Sequence, residues 1–140
     1  ADTAIPYLKK NIEKWGNPAC KIHFAHWKRF VEEKVEFHNS FSIVFSNPPY
    51  LSFREWEENP LLHWEPKSAL VAGETGLEKI KELLEIIPLL LKQGGIWICE
   101  IGYNQKEQVI SLFRNTPFLK ISRFFSDFHP YTRGFVAYRL

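Results

Sequence analysis

Methionine is absent from the 140 residues, and cysteine occurs only twice, as Cys20 and Cys99. Because the chain opens Ala-Asp-Thr with neither an initiator residue nor a signal pattern, we expect it to be part of a larger protein. Two cysteines are too few for a disulfide framework, which favours a reducing compartment. Cys99 lies in an apolar run, where a buried free thiol is the common case.

A large excess of charge of either sign is also lacking. The 18 Lys and Arg against 16 Asp and Glu give a formal net charge of +2. Proteins that neutralise many phosphates carry clustered basic residues, so the charge does not favour a stable nucleic-acid complex. The longest apolar stretch, residues 83–91, contains Glu85 and Pro88 and falls short of the roughly 20 residues that a membrane-spanning helix needs. We therefore expect a soluble protein with no membrane partner.

The residues that are present are those of a globular chain. Hydrophobic residues make up 45% and charged residues 24% of the sequence, which is enough apolar surface to bury a core. A chain of this length can fold around a single hydrophobic core. One folded domain is therefore expected.

Apolar spacing predicts alternating helices and strands. Helices are expected at residues 4–15, 76–91 and about 105–115. Strands are expected at residues 21–25, 41–45, 96–101, 119–125 and 135–139. A helix followed by a buried strand is typical of a parallel α/β sheet. The last two strands are joined only by a loop, so they should be antiparallel.

The 30 residues from 46 to 75 show little periodicity and begin with Ser46-Asn47-Pro48-Pro49-Tyr50. A segment of that length in a compact domain is usually functional or a lid. It follows the strand 41–45, which we expect to be buried, and open α/β sheets bind ligands at the edge where their parallel strands end. Each proline fixes φ at about −65°, so the loop is stiff.

This loop suits the handling of an NH₂ group whose lone pair is delocalised. The Asn47 side-chain oxygen and the Pro48 carbonyl can accept its two hydrogens and turn the nitrogen lone pair toward an electrophile. Tyr50 can cover the site and place its ring near a cation. The structural alternative is an Asn-Pro turn followed by a packed aromatic residue.

Asn47-Pro48-Pro49-Tyr50 resembles the motif of class I S-adenosylmethionine-dependent methyltransferases that modify amide or exocyclic amino nitrogens. With four further segments it resembles, more narrowly, the release factor glutamine methyltransferases of the PrmC/HemK family. Those segments are residues 64–70 (Trp-Glu-Pro-Lys-Ser-Ala-Leu), 73–77 (Gly-Glu-Thr-Gly-Leu), 91–95 (Leu-Lys-Gln-Gly-Gly) and 100–102 (Glu-Ile-Gly). The Glu65-Pro66 stretch carries the narrower assignment, because DNA and RNA amino-methyltransferases share Asn-Pro-Pro-Tyr.

The resemblance implies an α/β fold, a Rossmann-like class I methyltransferase sandwich whose mostly parallel sheet has an antiparallel final strand. Residues 1–140 would be the C-terminal part of that domain, without the family's glycine-rich loop and helical N-terminal domain. The implied reaction moves a methyl group from S-adenosylmethionine to a glutamine side-chain amide in the Gly-Gly-Gln loop of a peptide-chain release factor. The alternatives are a DNA or RNA amino-methyltransferase and a non-catalytic partner subunit of the same fold. The implied location is mitochondrial or cytoplasmic.

The resemblance also assigns residues to the site. Catalysis is implied for Asn47, Pro48 and Tyr50. Substrate binding is implied for Asn47, Pro48, Pro49 and Tyr50 of the same loop. It is also implied for Glu65, which belongs to a later loop that closes the substrate side. Cofactor binding is implied for Asp2, His26, Trp27 and Asn47. From the residues alone, Asp2 also suits a helix N-cap, His26 a surface position and Trp27 the core.

Other charged residues also have purely structural interpretations. Glu65 and Glu100 can each hold a loop through backbone N–H groups instead of touching a ligand. Asp127 and Arg133 suit an ion pair that braces the final hairpin. The histidines show no metal-ligand spacing, so we expect no metal site. Because a glutamine amide offers little binding energy, specificity should come from the surface of residues 46–75, with apolar contacts from Leu51, Phe53, Trp56 and Trp64.

Overall fold

A four-stranded sheet organises the chain in the computed structural model, which describes residues 4–16, 19–23, 25–128 and 130–140. The helices are α1 (Ile5–Trp15), α2 (Trp27–Glu33), α3 (Phe53–Glu57), α4 (Lys67–Leu70), α5 (Glu78–Leu90) and α6 (Lys106–Phe113). The strands are β1 (Phe41–Ser46), β2 (Leu51–Ser52), β3 (Val71–Gly73), β4 (Leu91–Glu100), β5 (Leu119–Ser126) and β6 (Thr132–Arg139). Short 3₁₀ helices lie at Val35–Phe37 and Pro60–Trp64. None of the described helices is both long and apolar enough to cross a bilayer.

The strand order in the main sheet is β1-β4-β6-β5. β1 and β4 are parallel, whereas β6 is antiparallel to both of its neighbours, β4 and β5. β5 and β6 follow each other with only a short connection, so β6 returns beside β5 in the opposite direction. The predicted α/β fold with a mostly parallel sheet and an antiparallel final strand is confirmed.

One face of the sheet packs against α5 and α6 to form the core. Alternate residues of β4 point to that face, so Trp97 and Cys99 are fully buried while their neighbours are half-buried. The Trp97 ring packs edge-to-face against Phe135 of β6, with ring centroids 4.9 Å apart. Its indole N–H donates to the Ser46 Oγ at 2.9 Å. The core therefore fixes the last residue of β1, from which the Asn-Pro-Pro-Tyr loop departs.

Two features near the start of the chain differ from the sequence-based expectation. The strand predicted at residues 21–25 is wrong, because residues 21–23 are irregular and Ala25 lies in a bend. Helix α2 was not expected. Its start is capped by the His26 ring, and it places Val31 in the core and Trp27 against it. Seven residues are too few for a helical period to stand out in the sequence.

Residues 46–75, which show little periodicity in the sequence, contain regular secondary structure. They contain a small parallel sheet of β2 and β3, in which Leu51 pairs with Val71 and Ser52 with Gly73. Helix α3 between them begins with a capping box formed by Ser52 and Glu55. The pairing draws the two ends of the segment together, so the residues between β2 and β3 leave the small sheet and return to it at neighbouring points.

The two cysteines differ in environment, and this predicts a difference in reactivity. Burial raises the pKa of the Cys99 thiol to about 12, whereas Cys20 is exposed. Because the thiolate is the nucleophile, iodoacetamide at mildly alkaline pH should modify Cys20 in the folded protein and Cys99 only after unfolding. Peptide mass mapping with and without urea measures this. Equal modification of both thiols without urea would contradict the burial of Cys99.

Candidate active site

The Asn-Pro-Pro-Tyr loop leaves the main sheet where β1 ends. Pro48 is buried, and Asn47 beside it is exposed. Within the part of the chain that the structure describes, no group forms a hydrogen bond with the Asn47 side-chain amide. The loop thus holds a polar side chain on a backbone that is anchored on both sides, while the amide remains available to a ligand.

Asn47 lies in the lining of two cavities. The first has a volume of about 540 Å³ and is lined by Phe45, Ser46, Asn47, Ile98, Glu100, Phe125, Asp127 and Arg133. The second has a volume of about 400 Å³ and is lined by Asn47, Pro48, Pro49, Tyr50, Leu51, Leu62, Glu65, Ala69 and Leu70. A residue shared by two cavities can orient a group from one of them toward a group in the other, which is what transfer between two ligands requires.

The second cavity brings together the five residues that the resemblance assigned to substrate binding. Asn47, Pro48, Pro49 and Tyr50 come from one loop, and Glu65 comes from the far side of the 46–75 segment. Glu65 ends the 3₁₀ helix Pro60–Trp64, where its backbone N–H donates to the Leu62 carbonyl at 3.1 Å. Its side chain is exposed at the cavity. The substrate roles of these residues stay predictions, but their proximity is a feature of the fold.

The Tyr50 phenol is held by Glu100 at the end of β4. Its hydroxyl donates to the Glu100 Oε1 at 3.2 Å. Burial raises the pKa of the Tyr50 phenol, and the negative charge of Glu100 raises it further. The phenol therefore stays protonated at neutral pH and acts as a hydrogen-bond donor.

An ion-pair network lies behind this phenol. Arg133 places its Nε 3.3 Å from the Asp127 Oδ2, which is the ion pair expected for the final hairpin. The same guanidinium places its Nη2 3.7 Å from the Glu100 Oε1. Tyr50 and Arg133 thus both contact the same oxygen of Glu100, Oε1. The sequence placed Glu100 at a ligand edge but did not connect it to the hairpin.

The described lining of the first cavity carries one more negative than positive charge, which favours a cation. Its two carboxylates, Glu100 and Asp127, both form ion pairs with Arg133, the one basic group among the described lining residues. Phe45 and Phe125 add aromatic rings to the same lining, and ring faces attract cations. Across residues 4–16, 19–23, 25–128 and 130–140, no cluster of His, Cys, Asp and Glu could hold a metal ion.

Three residues assigned to the cofactor lie elsewhere or outside the described residues. His26 is exposed, with its Nδ1 accepting from the Lys28 backbone N–H at 3.4 Å. The Trp27 indole N–H donates to the Glu82 Oε2 at 2.8 Å. Neither residue is among the described lining of the two cavities that share Asn47. Asp2 lies outside the described residues, and all three cofactor roles stay predictions.

Sequence reasoning missed Gln105, which follows the loop after β4. Its side chain is only 5% exposed, yet it is polar. Its amide nitrogen donates to the carbonyls of Tyr50 at 2.9 Å and Gly76 at 3.0 Å, and its oxygen accepts from the Gly102 N–H at 2.9 Å. Two of these partners are 55 and 29 residues away in the chain, so no local pattern could have revealed them.

Curated proteins similar to this chain are methyltransferases by name. A bifunctional methyltransferase of Rickettsia typhi is 33% identical over 132 residues, which cover 93% of this chain and 24% of that protein. A release factor glutamine methyltransferase of Bacillus anthracis is 32% identical over 81% of this chain and 40% of its own length. One of Caulobacter vibrioides is 42% identical over 54% of this chain and 27% of its own length. No protein-family model matches the chain. The matches confirm the resemblance indicated by the sequence motifs, and the chain spans well under half of each of these three relatives.

Proposed function

We propose that this chain, a homologue of curated release factor glutamine methyltransferases, forms part of the active site that methylates a glutamine side-chain amide in a release factor. The observation that carries the proposal is the position of Asn47. Its amide, free of partners among the described residues, lies where a cavity suited to a cation meets a cavity formed by the Asn-Pro-Pro-Tyr loop and Glu65.

The Asn-Pro-Pro-Tyr loop can orient an amide nitrogen for reaction. The lone pair of an amide nitrogen is delocalised into the carbonyl, so the nitrogen is a poor nucleophile until it is oriented. The Asn47 Oδ1 and the Pro48 carbonyl can accept its two hydrogens and fix its direction. Pro48 is buried, its ring constrains its φ, and the following Pro49 restricts its ψ, so the carbonyl acceptor is held in place before the substrate arrives.

S-adenosylmethionine, when bound, would supply a methyl group on a cationic sulfonium. The first cavity fits a cation in the chemistry of its lining, with two carboxylates, one guanidinium and two phenylalanine rings. We propose that the Glu100 carboxylate of this cavity faces the cofactor. Asn47 lies where the two cavities meet, so it would orient the substrate amide toward the methyl group and contribute little to cofactor affinity. Tyr50 lines the second cavity and, because its phenol stays protonated, does not act as a base.

The surface beside the second cavity suits a protein substrate. Leu61 and Trp64 are 78% and 90% exposed, and they belong to the 3₁₀ helix whose Leu62 lines the cavity. Of the apolar contacts predicted from the sequence, Trp64 is the most exposed. Lys67 lies over the rings of Phe53 and Trp56, at 4.9 and 4.4 Å from their centroids. Exposed apolar residues next to a polar cavity are typical of a docking surface for another protein.

The substrate can be tested with the full-length protein and labelled S-adenosylmethionine. A release factor should be labelled, and its Gln→Ala variant at the Gly-Gly-Gln loop should not, because only the glutamine amide presents the nitrogen that the loop holds. Free glutamine and DNA should stay unlabelled, since they offer none of the surrounding protein surface. Preferential labelling of DNA or RNA would replace the proposal by a nucleic-acid amino-methyltransferase. Labelling of no substrate would favour a non-catalytic partner subunit.

A further inference from the structure

Gln105 joins three segments that are far apart in the sequence. Its buried amide binds the carbonyl that ends the Asn-Pro-Pro-Tyr loop, the carbonyl of the Gly76 turn before α5, and the N–H of Gly102 after β4. A buried amide that lacked these partners would cost free energy, whereas one with three of them fixes the segments that it binds. The three distances, 2.9 to 3.0 Å, are those of well-formed hydrogen bonds.

The Gly76 turn shows how closely the Asn-Pro-Pro-Tyr loop is packed at this point. Gly76 has a φ of 78°, which only glycine adopts readily. A Cβ placed there would lie 2.6 Å from the Tyr50 carbonyl oxygen and 2.9 Å from the Gln105 Nε2. The missing side chain therefore leaves the space through which the Gln105 amide reaches both carbonyls.

Gln105 is itself anchored to the core. Its backbone carbonyl accepts from the N–H of Val109, a residue of α6 that is fully buried. Its backbone N–H donates to the Gly102 carbonyl at 3.0 Å. The Asn-Pro-Pro-Tyr loop is thus held at both ends, through Ser46 by Trp97 and through Tyr50 by Gln105.

We propose that Gln105 is a positioning residue, which places the Pro48 carbonyl and the Asn47 amide through the Tyr50 backbone without touching the substrate. The expected effect of Gln105 on activity rests on the proposed function. Independently of activity, loss of the Gln105 amide should loosen residues 46–52 while the core stays intact. A displacement of about 1 Å at a reacting group can cost on the order of 100-fold in rate.

The test uses Gln105→Met in the full-length protein, since methionine has a similar length and no N–H donor. The expected result is a fall in kcat of about 10- to 100-fold, with the KM values for release factor and S-adenosylmethionine changed less than about threefold. Gln93→Met is the matched control, because Gln93 is exposed on β4, and it should keep the kcat of the unsubstituted protein. Gln105→Asn is the second variant if Gln105→Met does not fold, because it keeps a neutral amide at this buried site but is one methylene shorter, so it cannot make all three hydrogen bonds at their present lengths. It should show the same fall in kcat.

Hydrogen exchange measured by mass spectrometry provides a readout that does not depend on activity. In the Gln105 variant, peptides covering residues 46–52 should exchange faster, while peptides covering residues 97–101 should keep the protection of the unsubstituted protein. Unchanged exchange in 46–52, or an activity loss that merely follows the fraction unfolded, would overturn the positioning role. If the unsubstituted protein methylates nothing but the exchange result holds, the proposed function fails and the role of Gln105 in the loop stands.

Discussion

Asn47→Ala should lower the rate at which the full-length protein methylates a release factor by about 100-fold or more, since loss of one preorganised polar group in a catalytic site typically costs 10²- to 10³-fold. The substitution removes one of the two acceptors proposed for the amide hydrogens. It leaves the Pro48 carbonyl and both prolines in place. The fold should survive, because the Asn47 side chain is exposed and has no hydrogen-bond partner among the described residues.

Three measurements check this prediction: kcat with a release factor, the melting temperature, and cofactor affinity by calorimetry. Melting temperature and cofactor affinity should change little. Asn47→Asp should also be slow, because a carboxylate places net charge where the proposed site uses a neutral acceptor. Asn115→Ala, at an exposed asparagine after α6, is the matched control and should keep full activity. An Asn47→Ala protein that retains most of its activity, or one that unfolds, would show that Asn47 does not hold the amide.

Trp97→Ala should reduce the free energy of unfolding by about 3–5 kcal/mol, the range for removing a large aromatic residue from a core. Trp97 is fully buried and packs against the rings of Phe113 and Phe135. The substitution also leaves the Ser46 hydroxyl without its indole donor. The loss of stability should therefore be accompanied by movement at the end of β1, next to Asn47.

Urea unfolding of the full-length protein measures the change. Trp64→Ala is the matched control, because it removes the same side chain from a site where that side chain is 90% exposed. Its free energy of unfolding should change by no more than about 0.5 kcal/mol. Trp97→Phe should lose less than Trp97→Ala, since it keeps an aromatic ring in the core. A loss below about 1 kcal/mol for Trp97→Ala would mean that Trp97 is not part of the core.

The elements with long or strongly apolar patterns could be predicted from the sequence. α5 was identified by apolar residues that recur with the helical period, and the strand 41–45 by its β-branched and aromatic residues before Asn-Pro-Pro. The predicted burial of that strand is wrong for one face, because β1 is at the edge of the main sheet and leaves Ile43 50% and Phe45 73% exposed. The pair Gly94-Gly95 was expected to separate that helix from a strand starting at residue 96. Instead β4 begins at Leu91, and Gly94, with a φ of 72°, lies inside it. The pairing of β1 with β4 shifts register at this point, which local sequence does not specify.

The Asn-Pro-Pro-Tyr loop could be identified in the sequence because its functional residues are consecutive. Asn47, the two prolines and Tyr50 stand together after a strand, so their types and their place in the fold follow from one short segment. Glu65 was attached to this loop only by resemblance. The structure brings it to the same cavity through the pairing of β2 with β3, which are separated by 18 residues of helices and loops.

The sequence by itself determined the alternation of helices and strands, the antiparallel final strand, and the position of the Asn-Pro-Pro-Tyr loop at a strand end. These follow from backbone preferences and apolar periods that each segment carries alone. Only the tertiary structure decided that Asn47 borders two cavities, that Arg133 reaches Glu100 behind Tyr50, and that Gln105 holds the loop. Those relations depend on strand order, register and the close approach of backbones at Gly76, which arise when distant segments pack around one core.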